Sequence, residues 1–261
     1  METGTTSLSH QLTNSPLEPF KNGRLMLQSV KQLYGHKLSA SDGEIGHMRD
    51  FYFDDQTWAV RYVVADTGSW LPGRQVLISP HAFGSLHQAG KVLCANLTRK
   101  QIENSPSIES HKPVSREYEE EYHRYYGWPY YWQGSALWGM SSTPFLVMPA
   151  NPLPSEPATA SDRHPAERAD AHLRSTQGVN GYHIKGSDGT IGHVSDFMVD
   201  DQSWAIRQLI IEVGHLLSGK EVQILTSTVD RISYDESTVF VNLTREAVEQ
   251  SPAHHLLSGG A

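Results

Sequence analysis

The chain has 261 residues, a formal net charge of −8 and one cysteine, Cys94. One cysteine excludes an intrachain disulfide and a metal site made of several thiolates. The acidic balance argues against nucleic-acid binding, which needs a basic face, and no apolar run reaches the length of a membrane span. We therefore expect a cytoplasmic protein with at most peripheral membrane contact.

The chain begins with a polar segment, residues 1–23, and then repeats itself. The first segment is rich in Ser, Thr, Asn and Pro, which predicts a disordered lead. Residues 41–47 then reappear as 187–193, and Ser105-Pro106 reappears as Ser251-Pro252, at a constant offset of 146 (187 − 41 and 252 − 106). Roughly a third of the aligned positions are identical, so the repeat is a whole domain built twice.

Each copy shows the pattern of short strands separated by turns. Asp42-Gly43 and its counterpart are tight-turn dipeptides, and Thr98 is placed to cap a short helix. In the first copy, strands are predicted at 25–30, 36–40, 45–53, 58–65, 75–79 and 92–96. Six strands and one short helix in each copy favour an all-β protein of two small closed barrels, with domains at 24–106 and 171–252.

A polar loop at 54–57, repeated at 200–203, is typical of a hairpin connection. If its four residues set the register, an aspartate faces an arginine across each hairpin, and opposite charges in that position stabilise the pairing. The predicted structural ion pairs are Asp50–Arg61 and Asp196–Arg207.

Two features of the copies could bind a metal ion, and each has a structural alternative. The adjacent aspartates of the hairpin loops offer oxygen ligands, but aspartate also favours turns because its carboxylate accepts nearby backbone N–H groups. His47 and His193 could meet across a two-fold interface, but neither has a second ligand at metal-site spacing. We therefore expect turn aspartates and surface histidines, and no metal or cofactor.

The linker, residues 107–170, occurs once and has two parts. Its first part, 114–138, is aromatic and acidic, and Ser115 and Gly127 are placed to begin and end a helix whose glutamates face solvent. Its second part, 143–170, is rich in proline and predicts a mobile tether, as 253–261 predicts a tail. The aromatic part is either a docking surface for a partner or a membrane interface, or a cover over the outer face of one copy or over the seam between the copies. The candidate docking residues are Tyr118, Tyr122, Tyr125, Trp128, Tyr131 and Trp132.

The repeated motif resembles a known family. A strand, then Ser-Asp-Gly-x-Ile-Gly, Asp-Phe, Asp-Asp and Trp-x-Val/Ile-Arg, is similar to the PRC-barrel family, and both copies carry it. The Asn-Leu-Thr-Arg ending and the aromatic stretch look like the bacterial tandem branch of that family, which is named after the cytoplasmic domain of the photosynthetic reaction-centre H subunit. The resemblance implies a six-stranded barrel that acts as an interaction module, and it implies no catalytic residue.

The sequence contains no Ser-His-Asp order, phosphate loop or dinucleotide fingerprint, which favours a non-enzymatic protein. We expect an adaptor or assembly module in which the two copies pair as an internal pseudo-dimer and present a surface to a protein partner. Further self-association stays open. The alternatives are a small-molecule or metal sensor that uses a barrel cleft, and electron-transfer support by analogy with the reaction centre.

Overall fold

The structure is a computed structural model that describes residues 26–83, 85–86, 91–108, 114–145, 172–214 and 219–253. Within these ranges the protein is predominantly β, with two sheets and short helices. The lead predicted over 1–23, the tether predicted over 143–170 beyond residue 145, and the tail beyond residue 253 lie outside them.

The described elements repeat in the same order in the two copies. The first copy contains β1 Leu27–Ser29, α1 Val30–Leu33, β2 Lys37–Ala40, β3 Gly43–Asp54, β4 Val60–Asp66, β5 Val76–Ile78, β6 Val92–Cys94 and α2 Arg99–Glu103. Between the copies lies α3, Arg116–Tyr126. The second copy contains β7 Leu173–Ser175, α4 Thr176–Val179, β8 His183–Gly186, β9 Gly189–Asp200, β10 Ile206–Val213, β11 Lys220–Leu225, β12 Val229–Ser233, β13 Thr238–Val241 and α5 Arg245–Glu249.

The two sheets share one strand order, except that the second sheet also includes β12 at its end. It is β5-β4-β3-β2-β6 in one sheet and β11-β10-β9-β8-β13-β12 in the other, and the β2–β6 and β8–β13 pairs are both parallel. Within the described ranges, backbone hydrogen bonds do not close either sheet into a barrel, so the predicted closed barrels are not confirmed. Instead, the chain beyond α2 or α5 meets the edge strand of its own copy, through the bridges Gln75–Ile108 and Val222–Ala253.

The first strand of each copy is exchanged with the other copy. β1 pairs with β9, with Gln28 opposite Val199, and β7 pairs with β3, with Arg174 opposite Phe53. Each sheet therefore contains one strand from the other repeat. The backbone bonds of these strands tie the two copies into one unit.

In each sheet, one aspartate accepts hydrogen bonds from the start of the short helix that follows the exchanged strand. Asp196 accepts hydrogen bonds from the Ser29 hydroxyl at 2.5 Å and from the Lys31 backbone N–H at 2.9 Å. Asp50 accepts the equivalent bonds from the Ser175 hydroxyl at 2.5 Å and the Gln177 N–H at 3.1 Å. A carboxylate at a helix N-terminus satisfies N–H groups that have no partner inside the helix. The two aspartates therefore act between the copies.

The copies also meet at the centre of the molecule through their hairpin loops. Ala59 bridges Ala205 in antiparallel fashion, Val60 N–H donates to Trp204 O, and Ile206 N–H donates to Trp58 O, both at 2.8 Å. Trp58 and Trp204 have φ values of 60° and 58°, which are uncommon for residues other than glycine. This backbone turns each strand toward the other copy.

The predicted ion pairs Asp50–Arg61 and Asp196–Arg207 are wrong, because the hairpin register differs from the one that a four-residue loop gives. Asp50 lies opposite Val64 and Asp196 opposite Ile210. Each arginine is the extra residue of a β-bulge, and its partner is the first aspartate of the loop. The N–O distance is 3.7 Å in both pairs, Arg61–Asp54 and Arg207–Asp200.

One hydrophobic core runs through both copies. Phe53 and Phe197 are in contact across the junction, with ring centroids 5.8 Å apart, and Phe83 of the first copy stacks on Trp204 of the second, also at 5.8 Å. A second, smaller cluster lies on the outer side of the β3–β4–β5 sheet, beneath α3. The protein thus has a shared centre and one extra layer on the first copy.

Candidate functional site

The single-copy aromatic segment covers the outer face of the first copy. We call residues 114–145 the lid. As predicted, the Ser115 hydroxyl caps α3 by accepting the Tyr118 N–H at 3.2 Å, and Gly127 ends the helix with φ 69°. Tyr122 is fully buried, and its ring meets the ring of Tyr62 edge-on at 5.3 Å. Its hydroxyl donates to Leu77 O at 2.9 Å, so the lid is joined to β5 by a hydrogen bond as well as by packing.

The lid carries a fully buried carboxylate, Glu119. Its Oε1 accepts hydrogen bonds from the hydroxyls of Tyr131 at 2.7 Å and Tyr62 at 3.3 Å. Its Oε2 lies 3.0 Å from Arg116 Nη1 and 3.4 Å from His172 Nε2, at ion-pair distance but without hydrogen-bond geometry. The sequence predicted that this glutamate faces solvent. That prediction is wrong because two tyrosines, Arg116 and His172, which come from three separate segments, surround it.

Arg61 is the buried cation of the site, with 2% of its side chain exposed. Its guanidinium lies 3.7 Å from the centre of the Tyr131 ring and 4.9 Å from that of Trp138. It donates to Leu137 O at 2.8 Å and to the Thr57 hydroxyl at 3.0 Å. Burial lowers the pKa of Arg61, while Tyr131, Asp54 and Glu119 act to raise it. The guanidinium nevertheless stays protonated, because arginine has a very high pKa. Its cation–π contacts with Tyr131 and Trp138 therefore help to hold the lid.

Two histidines, His81 of the first copy and His123 of the lid itself, lie among the aromatic rings of the lid. His81 stacks on Trp128 at 5.5 Å and meets Trp138 edge-on at 5.0 Å, and His123 lies 5.9 Å from His81. Burial lowers the pKa of His81 to about 3 and that of His123 to about 4. Both rings are therefore neutral at physiological pH. Burial also raises the pKa of Tyr131 well above the ordinary tyrosine value, so its hydroxyl stays a donor to Glu119.

The candidate docking residues belong to this cover, and they differ in exposure. Tyr122 and Tyr131 are buried, whereas Tyr125 is 42% exposed and donates its hydroxyl to Gln101 O. The other three, Tyr118, Trp128 and Trp132, are half-buried and pack against the two hydrophobic clusters. The geometry of the segment is that of a cover over the first copy, with part of its rim accessible.

Sequence reasoning missed two contacts that build this site. Trp138 donates its indole N–H to Ser203 O at 2.8 Å, which joins the lid to the second copy. His172, the residue before β7, lies 3.0 Å from the Tyr131 hydroxyl. His172 carries no local signal, and Trp138, although it lies in the predicted aromatic part, gains its contact with Ser203 from a segment far away in the sequence. The density of Tyr and Trp in the lid did indicate where the site would be.

The predicted turn aspartates and surface histidines are found as expected. Asp54 Oδ1 accepts the N–H groups of Gln56 at 2.9 Å and Thr57 at 3.0 Å, and Asp200 makes the equivalent bonds. His193 lies on the strand surface 3.2 Å from Glu212. Within the described ranges, no three His, Cys, Asp or Glu side chains are grouped as a metal site would need.

The same outer face differs between the two copies. Arg61 is buried, whereas the side chain of its counterpart Arg207 is 47% exposed. At the corresponding outer positions of the second copy, buried Tyr62 and Leu77 are replaced by half-buried Gln208 and Gln223, and buried Ser79 is replaced by exposed Leu225. Tyr52 is replaced by Met198, which is half-buried as well. We call Met198, Arg207, Gln208, Gln223 and Leu225 the second face. Arg207 and Leu225 of this face are exposed, and the other three residues are half-buried.

Comparisons with known proteins leave the family open. No protein-family model matches the chain, and no curated protein matches it significantly. Among the described residues, no helix combines the length and the apolar character that a membrane crossing requires.

Proposed function

We propose that the chain is a non-enzymatic adaptor or assembly module made of two PRC-like barrels that act as one internal pseudo-dimer. The shared strand order of the two copies and their repeated motif support this proposal. The closed form of the barrels is part of the proposal, with side chains and the chain beyond α2 and α5 completing what the backbone pairing leaves open. The proposed partner is a protein.

The observation that carries the proposal is the reciprocal exchange of β1 and β7 between the copies. The exchanged strands and the Ala59–Ala205 bridge fix two similar domains in one arrangement, so that surfaces of both copies are presented together. The two buried charged residues that could take part in chemistry, Arg61 and Glu119, instead make the contacts that hold the lid. An architecture of this kind serves recognition, because rigid surfaces lose little conformational entropy on binding.

The lid makes the pseudo-dimer asymmetric. It covers the outer face of the first copy and leaves Arg207 and Leu225 of the second face exposed, Leu225 by 54%. A molecule with two equal faces would bind two equal partners. A molecule with one covered and one accessible face binds one partner in a defined orientation. We therefore place the partner on the second copy.

Affinity capture with quantitative mass spectrometry tests the proposal. The bait is the full chain, and a matched bait carries Arg207→Glu and Leu225→Asp on the second face. A control bait carries Arg231→Glu, since Arg231 is also exposed on the second copy but lies on β12, at the other end of the strand order. All three baits are first shown to have the same circular dichroism and thermal midpoint.

We expect one protein to be recovered in near-stoichiometric amount by the wild-type and Arg231→Glu baits, and to be depleted at least tenfold on the doubly substituted bait. Equal recovery on all three baits would place the interaction elsewhere. A thermal shift produced by metabolites or metal ions, without any captured protein, would favour the sensor alternative.

A further inference from the structure

We infer that the second face binds an acidic, tyrosine- and tryptophan-bearing helical segment of a partner protein, of the same chemistry as the lid on the first copy. This inference rests on the proposed function, because it names the partner's chemistry. It starts from the internal symmetry of the chain. The first copy shows, within the same molecule, what kind of polypeptide the equivalent surface holds.

The arginine at the bulge is the first element of the argument. On the first copy, the Arg61 guanidinium receives from the lid the Tyr131 ring at 3.7 Å, the Leu137 carbonyl at 2.8 Å and the charge of Glu119. On the second copy, Arg207 has the same loop partners, Asp200 at 3.7 Å and the Ser203 hydroxyl at 3.3 Å. Its exposed guanidinium is complementary to an aromatic ring and a carboxylate.

The second element is the row of side chains beside the arginine. Tyr62 donates its hydroxyl to Glu119 of the lid, and the equivalent residue of the second copy, Gln208, carries an amide that can donate to a carboxylate in the same way. Leu225 lies directly opposite Gln208 in the strand pairing and is exposed, so it offers apolar contact to an aromatic ring. Arginine, amide and leucine together match an amphipathic segment with acidic and aromatic residues.

The third element is the difference in polarity between the faces. The first face places Tyr62 and Leu77 where the second has Gln208 and Gln223, and the first face is buried. Exchangeable interfaces resemble the ordinary protein surface in polarity, whereas permanent ones resemble a core. The first face therefore suits a permanent cover, and the second suits a partner that binds and leaves. The contact is also continuous with the lid, since Trp138 bonds to Ser203 beside Arg207.

A synthetic peptide with the sequence of residues 114–140 is the probe, because the partner itself is unidentified. Its binding to the full chain is measured by isothermal titration or fluorescence anisotropy, with a scrambled peptide as the reference. The protein variants are Arg207→Ala, Leu225→Asp and, as the matched control, Arg231→Ala. Circular dichroism of each variant confirms that it is folded, and two independent substitutions on the face keep the test valid if one of them unfolds the protein.

We expect saturable binding that weakens at least tenfold in Arg207→Ala and in Leu225→Asp and stays unchanged in Arg231→Ala. A peptide with Glu119→Gln should bind more weakly than the parent peptide to the wild-type chain. The same change should make little difference to binding by Arg207→Ala, because the pair is already broken. This coupling is specific to the proposed contact.

Other results would overturn the inference. The inference is wrong if the peptide shows no saturable binding up to about 1 mM. It is also wrong if all the variants bind the peptide equally, because the peptide would then be displacing the resident lid. Binding that appears only after removal of residues 1–25 would mean that the chain covers this face itself. A dimer of the full chain that depends on Arg207 would make a second copy the occupant. If a captured partner requires Arg207 but the peptide does not bind, the proposed function is supported and this inference is wrong.

Discussion

Trp58 and Trp204 hold the same position in the two copies, and each accepts a backbone hydrogen bond from the strand that follows the other, at 2.8 Å in both directions. Their positive φ values redirect the hairpins so that Ala59 meets Ala205. The contact is self-complementary, as an isologous interface between two subunits would be. Here both halves belong to one chain.

The aspartates that receive the exchanged helices should matter more for stability than ordinary surface aspartates. Asp196→Ala removes the hydrogen-bond acceptor of the Ser29 hydroxyl and the Lys31 N–H. Asp50→Ala removes the acceptor of the equivalent groups of the other copy. A buried or partly buried group left without a partner costs about 1–3 kcal/mol, so losing two partners should lower the free energy of unfolding by about 2–6 kcal/mol. Urea unfolding measures this.

The exposed Asp230 supplies the control for that experiment, because its side chain is about half exposed and its ion pair is with the adjacent Arg231. Asp230→Ala should stay within about 0.5 kcal/mol of the wild type, as surface changes do. A loss at Asp50 and Asp196 no greater than at Asp230 would show that the exchanged helices contribute little.

The two bulge arginines form a matched pair for testing the lid. Arg61→Ala removes a buried cation and leaves Asp54 and the Leu137 carbonyl without it, which should cost about 3–5 kcal/mol. Arg207→Ala, at the equivalent but exposed position, should cost at most about 1 kcal/mol. Thermal and urea unfolding of both variants give the comparison. Similar losses of stability at the two sites would contradict the conclusion that the lid covers Arg61 and leaves Arg207 accessible.

Two glycines set how closely the long strands pass their neighbours. A Cβ on Gly46 would lie 2.0 Å from Asp66 O, and one on Gly192 would lie 2.1 Å from Glu212 O. Alanine at either position must move backbone, so we expect losses above about 3 kcal/mol or failure to fold. Gly181→Ala is the control, since its φ of 84° is unfavourable but its Cβ meets nothing, and about 1–2 kcal/mol is expected there. Equal losses at all three positions would remove the close approach as the cause.

Acid should weaken the lid through its buried histidines. The unfolded chain takes up protons near pH 6.5, whereas the folded pKa is about 3 for His81 and about 4 for His123. Between these values the unfolded state binds more protons, so stability rises with pH and falls on acidification. The full contribution is present above pH 6.5, and it is lost by up to about 1.4 kcal/mol per pH unit for each histidine below it.

The histidine contribution can be separated from that of the carboxylates by a double variant. His81→Gln with His123→Gln should flatten the dependence of the free energy of unfolding on pH between 6.5 and 4, whatever its effect at pH 7. His193→Gln is the control, because that histidine is half-exposed at the strand surface. An unchanged slope in the double variant would show that the two rings are accessible to protons in the folded state.

The local elements could be predicted from the sequence because their signals are local. Ser115 and Gly127 bracket α3, and the loop aspartates make the turn bonds that their chemistry favours. The short helices α1 and α4 were missed, although Ser29 and Ser175 cap them; the strand predicted over 25–30 ends at the first residue of α1, and nothing was predicted for the rest of that helix. Four residues are too few to show a helical period, so the cap was their only available signal.

The exchange of strands could not be predicted, because the two copies are alike. The pattern of β1 fits the edge of β3 in its own copy as well as the edge of β9 in the other, and only the path of the chain decides between them. The burial of Glu119 was hidden for a related reason. Helical spacing cannot report on Tyr131 and His172, which reach the carboxylate from later in the chain.

The central claim is that the two copies are joined through their hairpins and exchanged strands, and a designed disulfide tests it most directly. Ala59 and Ala205 form an antiparallel bridge whose flanking bonds make them a close, non-hydrogen-bonded pair, with Cα atoms about 4.5 Å apart. Ala59→Cys and Ala205→Cys are introduced together with Cys94→Ser, and the purified protein is oxidised. The structure predicts rapid, nearly complete formation of an intrachain disulfide, seen as faster migration on non-reducing gels. Two thiols that stay reduced in the folded protein, or that link only different chains, would contradict the arrangement described here.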